Sequence, residues 1–456
     1  MFGRKQFFRY YYWLIIEFFK KNGKLVIVSF FVSFIGIIGF LSLFPYIKEA
    51  LNKEEIIGLV GNYSVNNPPD EIKTKISNGL VTVTEKGMII PVIANSWEER
   101  EGGTIYRFHL KDGLLWSDGK KFSGNDIGYQ FKDVTTKVVD DKTVDFVLKK
   151  KLAIFPTYLN RPLIKYPLLG VAGFYKTGKI ITDQGSLKEV SLIPNIKDQI
   201  PLTYKFYNNE SSLVNAYKKG EVTEITITKK SIADTFSNWG NTTIQKKVDY
   251  TKLLTIFING KDALLSRKNV KDALSMAIDY KKLSEFGEIA RGPIPPVSWA
   301  YNPNLKRAIF DQDNATQIIK KENDSTQSAK LNIVTYYDYY DVADIISQEF
   351  GAIGLNNGLN FSSFDQPNSF DLFIAYWKVP VDPDQYYSWH STQIGLGKGN
   401  IGNYKDVKVD KYLEQGRESI NLDDRQQNYF EFQKAIQDDP PAIFLYYPYV
   451  YTIKRK

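Results

Sequence analysis

A mixed α/β external domain behind one membrane-spanning helix is the architecture the sequence predicts, and three observations lead to it. Leu25 to Ile47 is an uncharged, apolar run of 23 residues. From Ile56 onward, strand-like alternation and helix-like periodicity succeed one another without internal repeats. No G-x-G-x-x-G follows a strand, which removes the dinucleotide-binding series. With 456 residues, 43% hydrophobic and 14% aromatic, the chain has material for two or three packed domains. It contains no cysteine, so disulfides, thiolate metal sites and cysteine nucleophiles are excluded.

The elements follow in order. Residues 1–24 are basic and aromatic, and Phe7 to Phe19 is too short to span a bilayer, so it reads as a helix lying at the inner leaflet with Tyr and Trp at headgroup depth. The run 25–47 covers about 34 Å as a helix, enough for a hydrocarbon core of about 30 Å. A cleaved signal sequence would have an apolar core of about 7 to 15 residues and a small-residue cleavage site, so an uncleaved anchor is the reading. Arg4, Lys5, Arg9, Lys20, Lys21 and Lys24 precede the run, which places the N-terminus in the cytoplasm and the bulk of the chain outside. Residues 1–50 hold seven Lys/Arg and two Asp/Glu, so they carry five of the eight net positive charges. The basic character is therefore a topology signal, and nucleic acid is not an expected partner.

After a polar hinge at Asn52 to Glu55, Ile56 to Val60 reads as a strand and Asp70 to Asn78 as a helix ending at Gly79-Leu80. Tyr106 to Leu110 reads as a strand, followed by a Lys-Asp-Gly turn and a second turn at Ser117-Asp118-Gly119-Lys120. A helix is expected to open at Ser123, with Asp126 in its first turn. Val134 to Val139 and Thr143 to Leu148 alternate as a hairpin about Asp140-Asp141. Asn269 to Asp279 places Val270, Leu274 and Ile278 on one helical face. Leu331 to Thr335 and Leu372 to Ala375 read as strands, and Val342 to Phe350 as a helix.

The order Tyr106-Arg-Phe-His-Leu-Lys-Asp-Gly-Leu-Leu-Trp-Ser-Asp-Gly-Lys-Lys-Phe-Ser-Gly-Asn-Asp-Ile127 resembles the signature of the bacterial extracellular solute-binding proteins of family 5, the dipeptide, oligopeptide and nickel receptors of ABC importers. Further segments are similar to that family in the same order. They are Asn78-Gly-Leu80 with Pro91 to Trp97, Thr143 to Leu148, Gly170 to Lys176, Asn269 to Asp279, Phe370 to Trp377, Asp382-Pro-Asp384, Asn400 to Tyr404, Asp424-Arg425, and Pro440 to Tyr447. The resemblance covers roughly residues 56–450. It implies a two-lobed periplasmic-binding-protein-like fold of the type II class, with a first lobe at 54–258 plus 440–456 and a second at 261–438. It places the crossings near Ile258-Asn-Gly260 and Pro440 to Tyr447. Family members commonly run further past the last of these segments, so the first lobe is expected to be trimmed or differently finished. With no lipidated cysteine, the helix at 25–47 is the expected tether.

Such receptors close two lobes over a ligand, so cleft residues belong on loops at strand ends and carry groups that stack or hydrogen-bond. Tyr336, Tyr337 and Tyr339 follow one strand; Tyr376 and Trp377 end another. Tyr63 and Asn66 follow the first strand and line the cleft from the opposite lobe. Where peptide-binding relatives carry an amino-binding Asp after the Trp, this chain has Val379 or Pro380, while Asp382 matches the structural Asp-Pro turn and joins the candidate set. No Arg accompanies the 336–340 loop to take a terminal carboxylate. An extended peptide held through its backbone, or a sugar-like ligand stacking on Tyr and Trp, fits these residue types. Trp116 and Asp118 read as turn structure.

Two enzyme readings fail on chemistry. Ser117 and Lys120, Tyr158 and Asn160, and Lys176 to Gly178 mimic the motifs of penicillin-binding enzymes, but Gly119 sets the first pair in a turn, where nucleophile and lysine need one helical turn. His109 and His390 are the only histidines and lack zinc-ligand spacing. No cofactor and no resident metal are expected. The sequence thus reads as a tethered external receptor that delivers a solute, an oligopeptide first, to ABC permease subunits. The alternative is a tethered ligand sensor or surface scaffold on the same fold.

Overall fold

The computed structural model describes residues 4–51, 54–323, 330–363, 366–367 and 369–456. The chain forms two compact units, Met1–Glu55 and Ile56–Lys456. Asn52 and Lys53 of the expected hinge lie outside the described residues.

The first unit is one continuous helix, Arg4–Leu51, 48 residues and about 72 Å long. The sequence reading divided it into a surface-lying piece and a spanning piece, but the helix runs straight through Lys20 to Lys24. Gly23 is the weak point, and a glycine inside a helix costs only about 1 kcal/mol relative to alanine. That is too little to end a helix flanked by good helix formers. The stretch Arg9–Leu43 is long and apolar enough to cross a membrane. Its Leu, Ile, Val and Phe side chains are exposed on every face, the pattern of a helix meant for apolar surroundings.

The second unit is two-lobed and built on a twelve-stranded sheet system with three smaller sheets. In the first lobe the strands Tyr175–Asp183, Ser186–Pro194, Leu202–Tyr207, Glu55–Val60 and Glu224–Ile227 lie side by side. In the second lobe the order is Lys252–Ile258, Leu372–Lys378, Leu331–Tyr336 and Asn357–Ser362. The final strand, Ala442–Arg455, belongs to both. Its first part pairs with Lys252–Ile258, from Phe257↔Ala442 to Leu254↔Tyr446. Its last part pairs with Thr242–Val248, from Val248↔Tyr449 to Thr242↔Arg455, and with Glu224–Ile227 on its other edge. Pairing changes over at Tyr447-Pro448, beside Asp249 to Thr251. Of the crossings expected from sequence, Ile258 to Gly260 falls at the end of Lys252–Ile258 remote from this changeover, whereas Pro440 to Tyr447 runs up to it through the start of the final strand. Lys252–Ile258 is a continuous buried run beyond its first residue, which suits a strand covered on both faces; its partner is Leu372–Lys378.

The signature segment folds as local chemistry dictates, with one exception. The strand Ile105–Leu110 pairs with Ala94–Arg100 and Thr143–Leu148, and Val134–Asp140 closes the expected hairpin. Gly119, at φ 84°, donates its N–H to the Trp116 carbonyl at 2.8 Å, a backbone conformation suited to glycine. Asp118 accepts the Lys120 N–H at 3.1 Å, and Trp116 is buried against Phe122. The exception is the helix expected from Ser123. Ser123 and Asp126 do form a reciprocal capping box, but only the single turn Gly124–Asp126 follows. The next residues are drawn into the core instead. Ile127 is buried, and the Tyr129 hydroxyl donates to the carbonyls of Leu159 and Arg161 at 3.1 and 2.7 Å. Tertiary burial overrides the local start signal.

The helix Lys268–Ala277 buries Val270 and Leu274, with buried Ile278 at its C-cap, against Leu254, Ile256 and Ile333. This places the second lobe's main core on one face of its sheet.

Candidate functional site

The strand directions decide which loops face the other lobe. Leu331–Tyr336 and Leu372–Lys378 run parallel, and Lys252–Ile258 runs antiparallel to the latter. Tyr336, Lys378 and Lys252 therefore share the sheet end nearest the crossover at Tyr447-Pro448. On the first lobe, Glu55–Val60 runs parallel to Glu224–Ile227, whose Ile227 sits opposite Tyr451 of the final strand. The loop 61–67 after Val60 thus leaves its sheet at the end that faces the second lobe. Lys378 Nζ reaches Asp70 Oδ2 across this gap at 3.1 Å.

Three of the sequence-predicted residues, Tyr336, Tyr339 and Tyr376, meet in series at that end. Tyr336 meets Tyr339 edge-on at 5.9 Å between centroids, and Tyr339 meets Tyr376 edge-on at 4.9 Å. Tyr376 continues the series to Tyr446 at 6.5 Å. Burial pushes the Tyr376 hydroxyl up to about 12 and raises that of Tyr339, so both remain neutral donors at ordinary pH. Trp377 points to the face opposite Tyr376, as alternation along a strand requires, and shares with Tyr336 the face that packs on Phe373. It packs edge-on against Trp389 at 5.8 Å, and its Nε1 donates to Ser388 Oγ at 3.1 Å. Tyr337 stands apart, 77% exposed and tilted against Phe361 at 5.8 Å.

Tyr63 is half-buried and packs on Phe206 at 5.5 Å. Burial raises its hydroxyl pKa, with Glu71 and Asp70 adding to the effect. Asn66 is exposed on the same loop. Asp382 is engaged elsewhere: its Oδ1 accepts from the Arg425 guanidinium at 2.6 Å and from the Asp384 N–H at 3.1 Å. Arg425 is itself buried, and it lies over Trp299 at 5.1 Å. Burial raises the Asp382 pKa despite Arg425, and Asp382 Oδ2 has no hydrogen-bond partner among the described residues.

Sequence reasoning missed a polar triad that joins the lobes. Tyr158, from the first lobe, donates its hydroxyl to Asp384 Oδ2 in the second. Arg417 donates Nε to the same oxygen at 3.0 Å and its terminal nitrogen to the Tyr158 oxygen at 2.9 Å. Burial opposes the Arg417 charge, but Asp384 and Tyr158 hold its pKa above the ordinary value. Burial and then Asp384 raise that of Tyr158. A second close approach sits at the turn holding Gly87, at φ 75°, where a Cβ would lie 2.4 Å from Trp299 Nε1. The only sequence signal was Asp384, in the Asp-Pro-Asp turn; Arg417 carried none.

The enzyme mimics are separated in space or otherwise occupied. Ser117 Oγ accepts the Gly170 N–H at 3.3 Å, and Lys120 pairs with Asp118 at 3.3 Å. His109 faces Glu98 at 3.6 Å, while buried His390 bonds Thr392 and Glu414 at 2.9 and 3.2 Å. Among the described residues, no group of three or more His, Cys, Asp or Glu is placed to hold a metal ion.

Known proteins agree with this geometry. The profile of the bacterial extracellular solute-binding proteins, family 5 Middle, matches residues 88–184 and 201–395. The oligopeptide-binding protein AppA of Bacillus subtilis is 24% identical, with 86% of each chain covered. NikZ from Campylobacter jejuni, solved in complex with Ni(L-His), superposes with a TM-score of 0.72 at 22% identity over 89% of this chain and 94% of its own. The Bacillus subtilis AppA structure with a nonapeptide gives 0.70 at 20% identity over 88% and 94%. With a two-lobed fold, lobes that face each other across shared strands, and a family profile matched over more than half its length, the chain belongs to the bacterial extracellular solute-binding proteins of family 5.

Proposed function

We propose that this protein is a membrane-anchored external receptor that binds an oligopeptide between its lobes and hands it to an ABC permease. The observation that carries the reading is the aromatic wall of Tyr336, Tyr339 and Tyr376 at the sheet end facing the loop 61–67. A wall of edge-packed phenols suits a ligand held through its backbone and apolar side chains rather than by its charged ends. Val379 and Pro380 stand where an amino-binding acid would be, and Asp382 is taken by Arg425. Asp382 therefore frames the site in this reading, and Tyr63, Asn66, Tyr336, Tyr339, Tyr376 and Trp377 remain as ligand-facing candidates. Relatives named for oligopeptide binding support peptide as the first ligand class to test. We place the lobe boundaries at 249–251, instead of 258–260, and at 447–448, the end of the expected 440–447 segment, where strand pairing changes. The helix Arg4–Leu51 serves as anchor, with its basic start in the cytoplasm.

The test is a thermal-shift screen of the second unit against peptides, sugars and metal chelates. A peptide present at ~100 times its dissociation constant stabilises the fold by about 2.7 kcal/mol. Stabilisation by chelates or sugars with none by peptides overturns the ligand assignment. A peptide hit that leaves the ATPase of the co-reconstituted permease unstimulated would favour the tethered sensor.

A further inference from the structure

A second pocket lies in the second lobe, at the opposite end of the sheet from the cleft wall. It is enclosed by the helices Lys268–Ala277 and Leu422–Asp438, the start of the final strand at Ala442 to Phe444, and the loop 290–311. Its volume of about 560 Å3 falls within the roughly 300–1,000 Å3 of small-molecule sites. The loop is pinned rather than draped. Lys306 N–H donates to Gln437 Oε1 at 3.2 Å, Asp311 N–H to the Met276 carbonyl at 2.9 Å, and Asn302 N–H to Gln433 Oε1 at 3.3 Å.

The lining has two chemical parts. Met276, Tyr280, Ile436 and Phe444 give it an apolar interior, and exposed Ile309 extends that surface to the rim. The rim is cationic. Arg291, Lys306 and Arg307 are exposed there, and none has a carboxylate within ion-pairing distance among the described residues. Arg291 reaches only the Pro303 carbonyl at 3.4 Å, and Arg307 lies 6.0 Å from the Tyr280 ring. The lining also holds two acids, Asp272 paired with Lys268 at 3.7 Å and Asp311 accepting the Asn314 N–H at 3.0 Å, so its three cations outnumber its two carboxylates.

From this asymmetry we infer that the pocket binds an amphiphilic monoanion, a carboxylate or sulfonate on a compact apolar body. The body fills the interior and the anionic head meets the three free cations. The site is independent of the peptide cleft and stands or falls separately from it.

The probe is 4-phenylbutyrate, with 4-phenylbutylamine as the charge-reversed control. Binding is measured calorimetrically on the full chain in zwitterionic nanodiscs, with empty nanodiscs subtracted. The acid binds saturably and the amine at least about tenfold more weakly. Arg307→Glu and the pocket-filling Ala308→Trp each weaken the acid by about tenfold or more. Lys378→Ala, exposed at the other end of the sheet, leaves it unchanged. Equal binding of acid and amine, undiminished binding by Ala308→Trp, or no saturable heat from the parent protein would overturn the assignment.

Discussion

Asp382 and Asp384 stand two residues apart in one turn, and each faces an arginine from a neighbouring helix. Asp382 meets Arg425 at 2.6 Å wholly within the second lobe, whereas Asp384 meets Arg417 at 3.0 Å and also receives the hydroxyl of Tyr158 from the first. The chemistry is the same and the consequence differs. The first pair is present whatever the lobes do, so it frames the lobe. The second takes its third member from the other lobe, so separating the lobes would remove the Tyr158 hydroxyl from it, and it is expected to act as a latch. Position along the chain says nothing about which is which; the partner's lobe does.

The largest effect that tests this contrast is on the frame. Arg425→Ala leaves a buried carboxylate without its partner and is expected to cost about 3–5 kcal/mol in urea unfolding. The double replacement Asp382→Leu with Arg425→Met should recover most of that loss. A single-mutant cost below about 1 kcal/mol would place Asp382 in an exposed, ordinary pair and break the comparison.

Tyr158→Phe removes one hydroxyl from the latch and is expected to cost about 1 kcal/mol of closed-state stability. Its signature is a larger radius of gyration of the ligand-free protein in small-angle scattering, with the midpoint of unfolding nearly unchanged. Arg425→Ala should behave in the reverse way in both measurements. An unaltered radius for Tyr158→Phe would remove the latch.

Acid titration separates the sites by sign. Burial raises the Asp382 pKa in the fold, so its favourable contribution is complete below the unfolded carboxyl value of about 3.9 and is lost as pH rises through the folded value. Asp70 behaves oppositely. Lys73 first, and Lys378 with it, lower its pKa, so its contribution is present above the unfolded value and is lost as pH falls through the folded one. Asp382→Asn and Asp70→Asn should change the stability-versus-pH slope in opposite directions below pH 5, read by denaturant melts; slopes of the same sign would contradict these environments.

The smallest effect belongs to the solvent-exposed cross-lobe pair. Lys378→Ala breaks the 3.1 Å contact with Asp70, and it should shift the closed state by only about 0.2–1 kcal/mol, less at high salt. A salt-independent change as large as that of Tyr158→Phe would mean that the cross-lobe energy is not concentrated in the buried triad.

Much of the fold was readable because its signals are local. The Gly119 turn, the Ser123–Asp126 box, the Val134–Leu148 hairpin and the Val270/Leu274 face each depend on residues within a few positions of one another. The same locality misled at Ser123, where a proper start signal yields one turn because Ile127 and Tyr129 are claimed by a core assembled from distant strands. Among the candidate residues, Tyr336, Tyr339 and Tyr376 were legible as strand-end aromatics. Their neighbour Trp377 was legible as a residue, but its turn to the other face follows from strand alternation set against a known sheet.

By itself, the sequence determined the long apolar N-terminal helix, most of the order of strands and helices, and the family, since apolar periodicity, turn residues and motif order are properties of short windows. Only the tertiary structure decided which Asp bonds across the lobes, where the pairing of the final strand changes over, and that three cations rim a second pocket. Those depend on contacts between residues up to 259 positions apart, and no local propensity encodes a pairing that closes so long a loop.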